Sequence, residues 1–195
     1  HDFAFRFAAK RKDKGHKGQL TCVDKANVFT SMAFFRQIFD EVGANYPDIK
    51  KTYNYVDAAA LDLIRCPWSA DVMVMENMFG DILSDQGGGI LGSLGLMPSA
   101  CMGPDKAYYE PSHGSAPDIA GKNLANPYSM IGSVALMLDM SFGMAAEAKA
   151  VWQAMQSVFE AGFSTGDLSQ AGSDITLLST TEFGDKVMEA LQDLL

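Results

Sequence analysis

Short apolar or β-rich runs alternate with stretches of helical periodicity, and this alternation restricts the fold more than any other feature of the chain. Residues 2–12 place Phe3, Ala4, Phe7 and Ala8 on one helical face, with cations gathering toward the C-terminal end, where the helix dipole favours them. Residues 19–24 read as a strand. A helix capped by a hydroxyl is predicted from Thr30 or Ser31 to about Asn45, with Phe34, Phe35, Ile38, Phe39 and Val42 as its apolar stripe and Pro47 ending it. Residues 52–56 are β-rich, residues 58–65 have helical spacing, and residues 71–75 suit a strand buried on both faces. Strands alternating with helices predict an α/β fold with a largely parallel sheet.

The second half has a different texture. Residues 77–85 open a helix that runs into Gly87-Gly88-Gly89, which puts its continuation in doubt, and residues 91–100 are punctuated by Gly and Pro and read as extended. Residues 108–126 read mostly as loop. Pro127 suits the first position of a helix that is apolar nearly all round to Phe142, and so is expected to be buried. Two amphipathic helices follow, over 145–161 and 182–194. The change of character near 87–92 predicts two lobes, residues 1–91 and 92–195.

Composition excludes several classes of function. A chain of 195 residues with 48% hydrophobic residues is long and apolar enough to enclose a core. Cys22, Cys66 and Cys101 form no CxxC pair and leave an odd count, so a reducing, cytoplasmic setting is expected and a disulfide framework is not. The most apolar stretch, residues 130–144, is too short and too polar to span a bilayer, so no membrane partner is expected. Residues 1–51 carry a net +4 and residues 52–195 a net −13. Such an acidic body repels a polyanion, and no nucleic acid partner is expected. The basic run Lys10-Arg11-Lys12-Asp13-Lys14-Gly15-His16-Lys17 reads first as a solvated helix end, and second as an anion contact.

Four places can carry chemistry. Asp81 and Asp85 are four residues apart, so on a helix their carboxylates share a face and repel, a conflict that a hard divalent cation relieves. Spacing alone equally describes an exposed acidic face. Their setting, a helix start after an apolar strand, is where open α/β sheets bind ligands. Lys25 follows a predicted strand directly; beside a metal and partly buried it would suit a proton acceptor, whereas in an ordinary loop it is a surface lysine. Asp57 closes the next β segment and reads either as a further metal oxygen or as a helix cap for Ala58 onward. The segment Tyr109 to Lys122 combines a histidine with closely spaced glycines and small hydroxyls, which let backbone N–H groups approach a ligand. Asp118 there would hold ribose hydroxyls and repel a 2′-phosphate. The segment is not a GxGxxG or P-loop, and a structural loop reading stays open.

The blocks Asp24-Lys25-Ala26-Asn27-Val28, Tyr55-Val56-Asp57, Asn77-Met78-Phe79-Gly80-Asp81-Ile82-Leu83-Ser84-Asp85, Glu110-Pro111-Ser112-His113-Gly114-Ser115-Ala116-Pro117-Asp118-Ile119-Ala120-Gly121-Lys122 and Ala125-Asn126-Pro127 occur in this order. In these blocks the chain resembles the C-terminal half of the isocitrate and isopropylmalate family of β-decarboxylating dehydrogenases, over nearly all its residues. The resemblance implies a three-layer αβα fold, an NAD-type cofactor, Mg²⁺ or Mn²⁺, and a homodimer whose active site is shared between subunits. It implies oxidative decarboxylation of a 3-substituted malate, 3-isopropylmalate of leucine biosynthesis foremost. Tartrate, D-malate, homoisocitrate or isocitrate enzymes of the family, and a non-catalytic regulatory subunit, stay open.

By the same resemblance, Asp81 and Asp85 would ligate the metal with Asp57 of the second copy. Lys25 of that copy would act as the base, with Asn27 nearby and Val28 against the substrate's apolar substituent. His113, Gly114, Ser115, Ala116, Asp118, Ile119 and Asn126 would carry the cofactor, with Glu110 toward its nicotinamide. The Asp118-Ile119 pair resembles the NAD form of this loop. The family's general-acid tyrosine and its carboxylate-gripping arginines have no matching position here. They are expected in a half preceding His1, without which the chain is expected to be inactive.

Overall fold

A computed structural model describes residues 1–169 and 174–194. The chain divides into two compact units, His1–Gly87 and Gly88–Leu195. The first contains α1 (Asp2–Asp13), β1 (Gln19–Asp24), α2 (Thr30–Gly43), β2 (Lys50–Tyr55), α3 (Val56–Arg65) and β3 (Val72–Val74). Helix α4 (Asn77–Leu91) begins in this unit, and the division falls within it. The second unit contains β4 (Pro98–Met102), β5 (Ala107–Pro111), α5 (Tyr128–Met140), α6 (Ala145–Glu160), β6 (Phe163–Ser164), β7 (Thr176–Leu177) and α7 (Thr180–Gln192).

In the first unit the sheet is wholly parallel, in the order β2-β1-β3, with Asp24 opposite Tyr55 and Cys22 opposite Val74. The central strand β1 is therefore the one buried, from Leu20 through Asp24. Strand β3, expected to be buried on both faces, is only half-buried. Both of its faces pack, Val72 and Val74 against the Phe5 core and Met73 against Val23, Ala59 and Leu83, and its partial exposure comes with its place at an edge of the three strands. Phe5, Ala8, Leu20, Cys22, Phe39 and Ile49 form the core, in which the Phe5 ring stacks on Phe39 at 5.0 Å and on Tyr46 at 5.1 Å.

Several local expectations are corrected. Helix α2 has no hydroxyl cap: Phe29 occupies the capping position in extended backbone, and no side chain accepts there. The helix ends at Gly43, ahead of Pro47. Asp57 does not close a strand or cap a helix. It lies in the first turn of α3, where a carboxylate suits the positive end of the dipole. Three consecutive glycines do not stop α4, which continues to Leu91.

The basic run at the end of α1 is exposed apart from the half-buried Arg11, and several of its cations bond to other segments of the unit. Lys12 Nζ donates to the Asp48 carbonyl at 2.8 Å, and Lys17 Nζ donates to the carbonyl of Trp68. Arg11 Nε lies 2.7 Å from Asp71 Oδ1, while Asp71 Oδ2 accepts from the Gly18 amide at 3.1 Å. This staple ties α1 to the entry of β3. Burial pushes the Asp71 carboxyl upward, but the Arg11 hydrogen bond and charge, with the Gln19 and Gly18 amides, hold it below its ordinary value. A lowered folded pKa contributes stability that is present above the unfolded value and lost as pH falls through the folded one. Asp71→Asn is therefore expected to cost about 2 kcal/mol at neutral pH. In urea unfolding followed by circular dichroism, the gap from the parent should narrow as the pH falls below the ordinary aspartate range.

In the second unit, β4 and β5 pair antiparallel, Cys101 opposite Tyr108, so the sheets are not uniformly parallel; β6 and β7 pair parallel. Part of the predicted loop is thus strand. Helix α5 also departs from expectation. It buries Ser129, Gly132, Ser133 and Ala135 and leaves Met130 and Val134 exposed. A Cβ at Gly132 would stand 2.8 Å from the Trp152 ring and 3.1 Å from Pro98, so glycine sets how closely α5 approaches its neighbours. A second core joins α6 and α7 through Ala154, Met155, Val158, Phe183 and Val187. The reciprocal capping box of Ser179 and Glu182 starts α7. Among the described residues no helix is long and apolar enough to cross a membrane, and all three cysteines are free.

Candidate active site

Parallel strands put their carboxyl ends along one edge, and the first unit's candidate residues follow those ends. Lys25 follows β1, Asp57 lies in the turn after β2, and α4 starts three residues beyond β3. Lys25 Nζ meets Asp57 Oδ1 at 2.5 Å, with the lysine side chain 24% exposed and the aspartate 67%. The Lys25 hydrogen bond, joined by the amides of the helix start, holds the Asp57 carboxyl below its ordinary value. The ammonium also lies 5.9 Å from the centre of the Tyr55 ring. Asn27 and Val28 occupy the exposed turn after Lys25, where the Val28 amide donates to the Lys25 carbonyl at 3.0 Å.

Asp81 and Asp85 stand one turn apart on α4, both exposed. The structure thus brings Lys25 to Asp57, but does not gather Asp57 with Asp81 and Asp85 in one chain. Among the described residues no three histidine, cysteine or acidic side chains form a metal-binding group. Two hard carboxylate oxygens on one helical face do suit Mg²⁺, which is commonly held by one or two carboxylates, its remaining positions filled by water and substrate. The donor chemistry of this pair fits such an ion.

The second unit holds two adjoining cavities, of about 450 and 340 Å³, within the range of small-molecule sites. His113, Gly114, Ala116, Ile119, Leu124 and Ala125 line both. Ser115 lines the larger, Asn126 the smaller, and Glu110 and Asp118 line neither. Glu110 sits on β5 opposite Ser99, and Asp118 in an exposed single turn of 3₁₀ helix at Pro117–Ile119. Ala116 adopts φ +44°, a left-handed backbone that costs an alanine energy.

The His113 ring is held at both nitrogens. Nδ1 is 2.9 Å from the Gly114 carbonyl, which can only accept, so this nitrogen carries the proton. Nε2 is then free to accept from the buried Ser129 hydroxyl at 3.0 Å.

Asp167, Ser93 and Gly95 were missed by sequence reasoning, and they line the smaller cavity beside Asn126. Asp167 accepts from Asn126 Nδ2 at 3.2 Å, from Thr165 Oγ1 at 2.5 Å and from Ser93 Oγ. A Cβ on Gly95 would lie 2.8 Å from Asn126 and 3.2 Å from Asp167. Asp167 is dozens of positions from Ser93 and Gly95, and no local motif marks them; their only sequence signal is a lone acid in a Thr-Gly-Asp turn.

A parallel sheet with a lysine–carboxylate pair at its carboxyl ends, and a second unit with a histidine-lined cavity, describe an α/β protein with candidate sites where such folds place ligands. The family described as isocitrate/isopropylmalate dehydrogenase matches residues 1–187, so the chain belongs to that family. A 3-isopropylmalate dehydrogenase of Desulfitobacterium hafniense is 50% identical over 173 residues, covering 89% of this chain and 49% of that protein. One from Thermotoga maritima is 46% identical over 98% of this chain and 52% of its own length. Among solved structures, an isocitrate dehydrogenase of Methylococcus capsulatus superimposes with a TM-score of 0.87 at 35% identity, covering 98% of this chain and 56% of that one. A β-decarboxylating dehydrogenase of Thermococcus kodakarensis in its apo form gives 0.83 at 35% identity, covering 99% and 55%. The chain spans about half the length of the curated relatives it matches.

Proposed function

We propose that this chain serves a metal- and NAD-dependent oxidative decarboxylation of a 3-substituted malate, with 3-isopropylmalate as the substrate its relatives favour. The Lys25–Asp57 pair at the carboxyl edge of the parallel strands carries the reading. Asp81 and Asp85 would hold Mg²⁺ or Mn²⁺, with Asp57 of a second copy as the third oxygen. A bound divalent ion would supply charge stabilisation for the oxygen that develops negative charge. Lys25 takes the proton from the substrate hydroxyl, and Asp57 keeps its Nζ on one line. Asn27 and Val28, in the exposed turn, face incoming substrate, polar and apolar in turn.

The cofactor is NAD. It rests against His113, Gly114, Ser115, Ala116, Ile119 and Asn126, where the fixed His113 tautomer gives the ring a constant orientation. Asp118 holds the adenosine ribose and repels a 2′-phosphate, while Glu110 lies toward the nicotinamide. Because Asp81 and Asp85 come from one copy and Asp57 with Lys25 from another in this reading, the working unit is at least a dimer. Steady-state kinetics of the full-length protein with 3-isopropylmalate and Mn²⁺ test the reading. NAD is expected to exceed NADP in kcat/KM by about 100-fold, and Asp118→Arg to bring the ratio toward unity. Equal use of both cofactors by the parent would overturn the cofactor assignment.

A further inference from the structure

We infer that Arg36, acting through the buried carboxylate of Asp24, is a positioning residue for Lys25, an inference that rests on the role proposed for Lys25. Asp24 is the last residue of β1 and is fully buried. Arg36, on α2, grips it with two bonds, Nε to Oδ2 and Nη2 to Oδ1, both 2.7 Å. A planar fork meeting a carboxylate in this way fixes direction as well as distance. The same Oδ1 accepts from the Ala26 amide at 2.9 Å, so the side chain of Asp24 closes a turn around the backbone of Lys25.

On the far side of that turn, the Val28 and Phe29 amides both donate to the Lys25 carbonyl at 3.0 Å. Lys25 is therefore pinned before and after. The Arg36 guanidinium in turn lies 5.2 Å from the Tyr53 ring centre and 5.4 Å from that of Tyr55, whose ring also faces the Lys25 ammonium. Tyr55 immediately precedes the helix that presents Asp57. One guanidinium thus ties the ends of β1 and β2 together and sets the two strand ends from which Lys25 and Asp57 meet. Asp24 is wholly buried and the Arg36 fork is engaged on it, so the effect of the pair passes through the lysine.

The test uses the full-length protein with four variants: D24N/R36M, which removes both charges of the pair together; R36K, which keeps a cation but loses the fork; R36M; and K25M as reference. Two quantities are read, kcat and KM per folded protein, and hydrogen exchange at the Ala26 amide. D24N/R36M is expected to lower kcat at least about tenfold with KM for both substrates within about twofold, since a misplaced base is felt only in the transition state. Ala26 exchange should quicken in R36M and in D24N/R36M, and R36K should recover part of both losses. Should the double variant fail to fold, R36K alone decides, and parental kcat and exchange in it would overturn the proposal. Parental kcat in a folded D24N/R36M, with K25M inactive, would show the pair to be a structural support only. A fully active K25M would overturn both this inference and the reading of Lys25 on which it stands.

Discussion

Lys25→Met in the full-length protein should lower kcat by about 10²–10⁴-fold, the usual contribution of a positioned proton acceptor. The substitution keeps the apolar stem of the side chain, three-quarters of which is covered, and removes only the nitrogen. Folding should therefore be little changed, and KM for NAD should stay near the parental value, because Lys25 and the His113 cavity belong to separate units. Asp57→Asn should behave differently. It weakens the bond that holds the Lys25 ammonium at 2.5 Å, and in the proposed assembly it also withdraws an oxygen from the metal. Its loss should consequently be relieved in part by raising Mn²⁺, whereas that of Lys25→Met should not. Steady-state kinetics at two metal concentrations separates the two, and a kcat within about twofold of the parent for Lys25→Met would remove the lysine from the reaction.

The extent to which the sequence disclosed this site follows from the kind of order each part has. Strand β1 is visible because its apolar run coincides with complete burial at the centre of a sheet. The Lys25 turn is visible because it adjoins that strand. Edge strand β3 carries the same composition without the same burial, and composition cannot distinguish the two positions. In α5 an apolar pattern signalled burial, yet packing is decided by the small residues. Gly132 and Ser133 admit Trp152 and the Ser99 amide, while the large Met130 and Val134 face outward. Asp167 escaped because Ser93 and Asn126 reach it only through tertiary contact, while its bond from the neighbouring Thr165 makes no motif. The Asp24–Arg36 fork is the intermediate case: both ends are close in the chain, but nothing in the spacing of a strand end and a helix says that the helix turns its arginine back.

Asp81→Asn should abolish the response of the full-length protein to Mn²⁺ while leaving the metal-free protein as stable as the parent or slightly more so. Asp81 and Asp85 are one turn apart on α4 and exposed, and like charges at that spacing cost a helix about 0.2–0.5 kcal/mol. Removing one charge relieves that cost. A residue kept for structural reasons would show the opposite sign, since its loss would lower stability without metal. A divalent ion held by both carboxylates would replace that repulsion with attraction. At a metal concentration about 100 times the dissociation constant, the folded state should then gain about 2.7 kcal/mol. Thermal unfolding with and without Mn²⁺ therefore reads the site independently of turnover: the parent's midpoint should rise with metal, that of Asp81→Asn should not, and Asp85→Asn should match it. Turnover should fall in step with the lost affinity. Parental turnover in Asp81→Asn, together with an unchanged midpoint in the parent on adding metal, would instead assign this chain a non-catalytic place beside an active relative, because an acidic pair that neither binds an ion nor limits the rate has no part in the chemistry.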